Sequence, residues 1–249
     1  MTNPTSARLD YAERWMRDGL QALRPAGVGA YQCTVDMSNA LRRLDTLRRQ
    51  GVLATPTHLL ILATARALAA NADLHQMIAG VRRHRPERVD IGISISGEIF
   101  VDPVLVIEGA DKKTVAEIAA EIARRVPEVK EADRQMLQVL RRFGWIVPFG
   151  FMRRAILRLL FRSAAFRRKG VGTFQVSTAS VDWVFGSVFS TAGLLIGGEV
   201  RSQVLVKDGQ PAVCPAMKLT LCSDHGVWDG RAASRFLIAV QTDLESAAS

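Results

Sequence analysis

At 249 residues and 48% hydrophobic content, the chain can bury one sizeable core, or two lobes sharing one. No run approaches the roughly 18 apolar residues that a membrane span needs, and residues 1–10 lack the apolar centre of a secretory signal. The net charge of +9 points first to nucleic acid or a membrane surface, yet eleven of the thirty-three basic residues and only three of the twenty-four acidic ones lie between Glu128 and Lys169, so one segment is basic and the rest nearly neutral.

Residues 10–23 read as a helix with Tyr11, Trp15, Leu20 and Leu23 on its apolar side, stopped by Arg24-Pro25-Ala26-Gly27. Residues 31–36 alternate as a strand. Asp36 or Ser38 then caps a helix with Leu41, Leu44 and Leu47 at helical spacing and Arg42, Arg43, Arg48 and Arg49 on its wet side. The next helix starts at Thr55 or Thr57 and stops at Asn71. His58 in its first turn and His75 past its end have no neighbour at metal-ligand spacing, so both read as structural or surface residues and no metal site is expected. Residues 82–86 read as a loop or hairpin. Residues 89–95 are apolar almost throughout, as in a strand covered on both faces, and a second strand spans 99–107 with Pro103 confining part of it to an edge or bulge. Asp111, or Lys113-Thr114, opens a helix that ends near Arg125-Val126-Pro127.

Further strands are expected at 174–178, 186–196, 200–206 and 217–222, with a tight hairpin turn at Lys207-Asp208-Gly209-Gln210. Strands mixed with helices predict an α+β, mixed α/β sandwich: one large mixed sheet with helices packed on it. Cys33, Cys214 and Cys222 are odd in number and scattered, which fits free thiols and a reducing cytoplasm. Alternation puts Cys222 on the opposite face from His225, so an inert buried thiol is favoured over a nucleophile.

The stretch that carries chemistry is Ser223-Asp224-His225-Gly226-Val227-Trp228-Asp229-Gly230. A strand ends there, a helix follows from Arg231, and Gly230 is expected to take a backbone angle other residues resist. A strand end is a rigid place to aim an imidazole whose pKa lies near neutrality. A lone strand-end histidine is just as readily structural, so its neighbours decide.

His225-x-x-x-Asp229-Gly230, followed by Ala232-Ala233-Ser234-Arg235-Phe236-Leu237, has company. Val89-Asp90-Ile91-Gly92-Ile93-Ser94-Ile95, Val101-Asp102-Pro103-Val104, the run from Ala110-Asp111-Lys112 to Ala119, and Gly172-Thr173-Phe174-Gln175-Val176-Ser177 stand in one order. Together they resemble the catalytic domain of the dihydrolipoyl acyltransferases of 2-oxo acid dehydrogenase complexes, in the chloramphenicol acetyltransferase-like superfamily. The resemblance implies a homotrimer with the active site at the subunit interface, His225 from one subunit and Ser177 from its neighbour. It makes His225 the general base, Ser177 the oxyanion donor and Asp229 a structural residue paired with an arginine, while Gly230 permits the turn. It implies a coenzyme A thioester as cosubstrate, with an acyl carrier protein as the other candidate donor, a thiol, hydroxyl or amine acceptor, and no permanently bound cofactor. The whole of 1–249 reads as one catalytic domain, without the lipoyl and peripheral-subunit-binding domains such subunits carry upstream. Three departures stand out: Gly226 replaces the family's arginine, Thr178 replaces an asparagine, and the loop before the Ile-Leu-Gly type of strand shrinks to Ser190-Thr191-Ala192-Gly193. These favour a free-standing acyltransferase over one acting on dihydrolipoyl groups in a large cage. An inactive structural subunit is the alternative.

About forty residues replace the family's short loop before Gly172. From about 128 to 169 the sequence predicts a helical hairpin, broken at Gly144 and Pro148 among Trp145, Ile146, Val147, Phe149 and Phe151. A helix over 152–166 then sets Arg153, Arg154, Arg158 and Arg162 as a basic stripe beside an apolar face of Ile156, Leu157, Leu159, Leu160 and Phe161. Three uses compete: a packing arm or lid, docking of an acidic carrier protein or coenzyme A phosphates, and peripheral contact of 144–169 with the inner face of an anionic membrane. Nucleic acid is not expected, since no binding module is present and the aromatic residues are not interleaved as stacking platforms.

Overall fold

The computed structural model describes residues 8–25, 27–189 and 191–246. The elements in chain order are α1 (Tyr11–Ala22), β1 (Val28–Asp36), α2 (Ser38–Arg49), α3 (Pro56–Ala70), β2 (Met77–Ala79), β3 (Arg82–His84), β4 (Ile91–Ser94), β5 (Val104–Ile107), α4 (Val115–Phe143), α5 (Gly150–Leu160), α6 (Ala164–Val171), β6 (Phe174–Thr178), β7 (Gly193–Gly197), β8 (Arg201–Lys207), β9 (Gln210–Asp224) and α7 (Gly230–Glu245). The main sheet runs β1-β9-β7-β6-β4-β5, with β8 paired to the first half of β9. It is mixed: β4, β6 and β7 are mutually parallel, while β1, β5 and β8 meet their neighbours antiparallel. The core lies between this sheet and α2, α3, α4 and α7, with α3 buried on nearly all sides. The expected class of fold is the one observed.

Local signals explain the clean helix starts. Asp10 and Glu13 close a capping box on α1, Thr114 and Glu117 close one on α4, and Thr55 does so for α3 with His58 as the reciprocal acceptor. That interaction gives His58 a structural role. At the β8–β9 turn, Asp208 (φ 51°) and Gly209 (φ 78°) both take left-handed angles, the pattern a two-residue hairpin requires.

Several expectations need correcting. The long helix does not end near Pro127; α4 runs through it to Phe143. An internal proline costs a helix about 3 kcal/mol; beyond it, Leu137 is fully buried and the far half packs on α1, which supplies a compensating contact. The strand expected over 99–107 is paired only from Val104, and the one over 186–196 only from Gly193. Asp36 and Ser38 bond each other, but the N-cap of α2 is Met37, without a side-chain cap. The single helix expected over 152–166 is two, α5 and α6, because Ser163 accepts from the Phe166 amide and starts a new helix.

His75 is buried, with Nε2 2.9 Å from Thr173 Oγ1. Burial pulls its pKa below the ordinary 6.5, against the smaller opposing effects of Asp90, Asp111 and the Pro86 carbonyl. The unfolded chain then binds the proton more tightly, so the stability linked to His75 is complete above about pH 6.5 and is lost as pH falls toward the folded value. We expect the melting temperature to fall between about pH 7 and 5.5, above the carboxylate range, with a smaller fall in His75→Gln. Equal slopes in calorimetry would show that His75 does not carry the effect.

Candidate active site

His225 stands one residue beyond β9, exposed at the C-terminal end of a strand held on both sides by β1 and β7. Its turn is fixed by backbone bonds: the Asp224 amide donates to Ala192 O (2.9 Å), the His225 amide to Gly27 O (3.0 Å), and the Val227 and Trp228 amides to Asp224 O (2.8 and 3.0 Å). The Gly226 amide donates to Asp224 Oδ1 at 2.9 Å. An imidazole set on such a turn is held by the sheet and not by a loose loop. An open cavity of about 540 Å³ adjoins it, lined by Arg17, Leu20, Arg24, Gly27, Val28 and the 185–189 loop among others. A second cavity of about 590 Å³, walled by α2, α3 and the start of α4, shares no residue with this turn.

Trp228 does most to hold the turn in place. It is 1% exposed, its Nε1 donates to Leu74 O at 2.9 Å, and its ring lies 5.7 Å from Phe174 and 5.2 Å from Phe236. Thus β6, α7 and the histidine turn meet in one aromatic cluster. The Gly172-Thr173-Phe174 motif feeds this cluster. Gly172 has φ 80°, and a Cβ there would sit 2.6 Å from Asp90 O, so only glycine fits. Thr173 Oγ1 accepts from the Asp90 amide (3.0 Å), donates to Asp90 O (3.1 Å) and meets His75. The buried Asp90 carboxylate is in turn held by Arg88 at 2.7 Å and by the Gly109 amide.

Ser177 lies near the end of β6, half-buried. The register places it opposite Ile196 on β7, and Ile196 opposite Thr220 on β9, five residues short of His225. At about 3.3 Å per residue along a strand and about 4.8 Å between strands, Ser177 and His225 of one chain are roughly 15–20 Å apart. One copy does not bring them together.

Asp229 is the N-cap of α7: its Oδ1 accepts from the Ala232 amide at 2.8 Å, and among the described residues no arginine pairs with it. The arginine partner implied for Asp229 is therefore replaced by a helix cap. Gly230 is also not what the sequence suggested, since it begins α7 without a left-handed φ and a Cβ would make only ordinary contact with Tyr31. Ser190 lies outside the described residues; Thr191 is buried and donates to Gly193 O.

The cysteines are free thiols. Burial pushes the Cys33 thiol up to about 11, helped by the Glu245 charge, and burial also raises that of Cys222. Neither suits a nucleophile at neutral pH. Sequence reasoning missed two contributors. Trp228 read as one more apolar residue in a turn. Arg167, in α6, is half-buried and donates to the Ile78 carbonyl; burial draws its pKa down while the Asp224 charge opposes this, so α6 brings a guanidinium toward the residue before His225. Among the described residues no cluster of His, Cys, Asp or Glu is placed to hold a metal ion.

Arg153 and Arg154 also differ from expectation. They face inward and pair with Asp18 of α1 at 2.6 and 2.7 Å, so they do not belong to a docking stripe, whereas Arg158 and Arg162 stay exposed.

Residues 190–249 match the family model described as 2-oxoacid dehydrogenases acyltransferase (catalytic domain). Over 81 residues the chain is 36% identical to the dihydrolipoyllysine-residue succinyltransferase component of the 2-oxoglutarate dehydrogenase complex of Bartonella vinsonii subsp. berkhoffii, covering 30% of this chain and 19% of that protein. The match to the same component from Pseudomonas aeruginosa is 33% identical over 84 residues, 31% of this chain and 20% of the relative. The matched part spans about one fifth of the length of these curated relatives. Among solved structures, a probable dihydrolipoamide acetyltransferase from Listeria monocytogenes superposes with a TM-score of 0.75 at 19% identity, over 99% of this chain and 97% of that one. An Azotobacter vinelandii dihydrolipoamide acetyltransferase, from work on the roles of a serine, a histidine and an asparagine in its mechanism, gives 0.71 at 18% identity over 98% and 92%. A chloramphenicol acetyltransferase gives 0.51 at 12% identity over 95% and 96%. The resemblance read from the motifs holds in the matched C-terminal segment and in the fold of the whole.

Proposed function

We propose that the chain is an acyltransferase that moves an acyl group from a coenzyme A or carrier-protein thioester to a thiol, hydroxyl or amine, with His225 as general base and Ser177 as oxyanion donor. The observation that carries this reading is the exposed His225, set off the end of a doubly flanked strand inside the segment that matches the acyltransferase model. In the forward step the imidazole takes the proton of the acceptor, whose freed lone pair attacks the thioester carbonyl carbon. The carbonyl oxygen becomes an oxyanion that accepts a hydrogen bond from Ser177. The carbon–sulfur bond then breaks, and the thiolate leaves with the proton held by His225.

The distance between Ser177 and His225 in one chain supports a site built between copies, so that a homotrimer is the working form. The β8–β9 hairpin, with Val204, Val206 and Val213 exposed, offers apolar surface for such contacts. The Azotobacter vinelandii work concerns a serine and a histidine as well, with the asparagine four residues after the histidine, the offset at which Asp229 stands from His225. Here that position caps a helix. Gly226, in place of the family's arginine, and Thr178 change groups beside the base and the oxyanion donor, which favours an acceptor other than a dihydrolipoyl group. The free thiols fit a reducing cytoplasm.

The test is thiol release from a panel of acyl-coenzyme A donors with thiol, alcohol and amine acceptors. Turnover that needs both donor and acceptor is expected. A correctly folded chain that turns over none of them, and none of the same acyl groups on a carrier protein, would make it a structural subunit instead.

A further inference from the structure

The segment from the end of α4 through α5 is built inside out. The face of α5 that meets α1 carries Gly150, Arg153, Arg154 and Leu157, and its two arginines both pair with Asp18. The outward side carries the large apolar residues: Trp145 is 58% exposed, Phe151 65% and Leu159 68%, with Phe143, Ile146 and Phe149 also exposed. A helix that turns two arginines toward the protein and most of its large apolar residues outward is organised for an apolar partner. The elbow is held rigidly: Trp15 Nε1 donates to Gly144 O at 3.3 Å, Arg153 donates to the Val147 and Pro148 carbonyls at 2.8 Å each, and Phe149 stacks on Phe151 at 5.7 Å.

We propose that this elbow docks on an anionic lipid bilayer and lies in its interface. Charge selects that occupant. From Arg134 to Gly170 there are ten basic residues and no acidic one. Arg142, Arg158, Arg162 and Lys169 have no acidic partner among the described residues, and Arg142 lies over the Phe143 ring at 5.0 Å. A second copy meeting this patch about a two-fold axis would set these cations against their equivalents, and one placed about a three-fold axis would have to offer an acidic face from elsewhere on the chain. The rest of the chain, with twenty-three basic and twenty-four acidic residues, offers almost no compensating excess. Phospholipid headgroups supply anions beside an apolar layer, matching exposed Trp and Phe flanked by arginine. The 11 residues of α5 make a helix of about 16 Å, far short of the roughly 30 Å hydrocarbon core, so the segment lies along the surface. The inference is independent of acyl transfer.

Flotation of the full chain with vesicles of phosphatidylcholine alone, and with equimolar phosphatidylglycerol added, tests it. Binding is expected to favour the anionic vesicles and to weaken with salt. A W145A/F149A/F151A variant should lose at least about tenfold in partition to both vesicle types. An R142Q/R158Q/R162Q/K169Q variant should lose at least about tenfold on anionic vesicles only. All seven positions are exposed, so unchanged melting and unchanged thiol release would separate a lipid defect from misfolding or loss of catalysis. The proposal is overturned by wild-type protein that ignores both vesicles, by variants that bind as wild type does, or by an elbow that mediates self-association or retention of an acidic carrier protein without lipid.

Discussion

Replacing His225 by alanine is expected to lower acyl transfer about 10²–10⁴-fold, the usual worth of a positioned general base. The side chain has no structural partner among the hydrogen bonds and ion pairs of the described residues, and its turn is held by backbone bonds and by Trp228, so the fold should persist. Ser177→Ala should cost roughly 10²–10³-fold, as loss of an oxyanion donor does, with the Michaelis constant for the thioester little changed. Co-expressing the two inactive chains separates a shared site from a site within one copy. If each site takes its histidine from one subunit and its serine from the next, random mixing makes about a quarter of the sites whole, because the two intact groups meet by independent halves. The co-expressed pool as a whole should therefore recover about a quarter of wild-type turnover, and trimers purified as mixed about a third. Recovery at the level of either single variant would place both groups in one chain, against the separation that the strand register gives. An unaffected His225→Ala enzyme would remove the proposed base altogether.

Where local chemistry decides the structure, the sequence was readable. The helix starts near Asp10, Thr55 and Thr114, the Asp208-Gly209 turn and the β6 strand at 174–178 all follow from short-range rules, although the reciprocal bonds of the capping boxes were not read. His225 was found the same way, from a strand that stops and a motif that follows it. Three of the misses depend on a contact far along the chain. Pro127 fails to end α4 while the helix beyond it packs on α1. Arg153 and Arg154 read as a wet stripe, yet Asp18, more than a hundred residues earlier, turns them inward. Trp228 becomes the clamp of the histidine turn only when Phe174 and Phe236 close around it. Helical periodicity identified two unlike faces on the segment of α5 and α6 but could not say which faced the protein. A buried carboxylate inverted the usual answer.

Asp18→Ala is expected to release that inverted helix. The Arg153 and Asp18 side chains are 7% and 9% exposed, and truncating the acid leaves a buried guanidinium with only the Val147 and Pro148 carbonyls to meet it. Removing one partner of a buried pair costs about 3–5 kcal/mol, mostly from the stranded charge. The sheet need not bear that cost: α5 touches α1 through this pair and through Leu157 near Gly19, so the hairpin can open locally while the core stays closed. Amide hydrogen exchange should therefore rise by at least about a hundredfold in peptides from 144–162 and stay near wild type in β6 and β9. A D18L/R153M/R154M variant fills the same space without charge and should restore protection in the hairpin, as apolar replacement of buried ion pairs commonly does. Wild-type exchange in Asp18→Ala would mean that the apolar contacts alone hold α5. If the single variant loosens the elbow and the triple variant restores it, the carboxylate's role is to bury two arginines so that the apolar residues face outward.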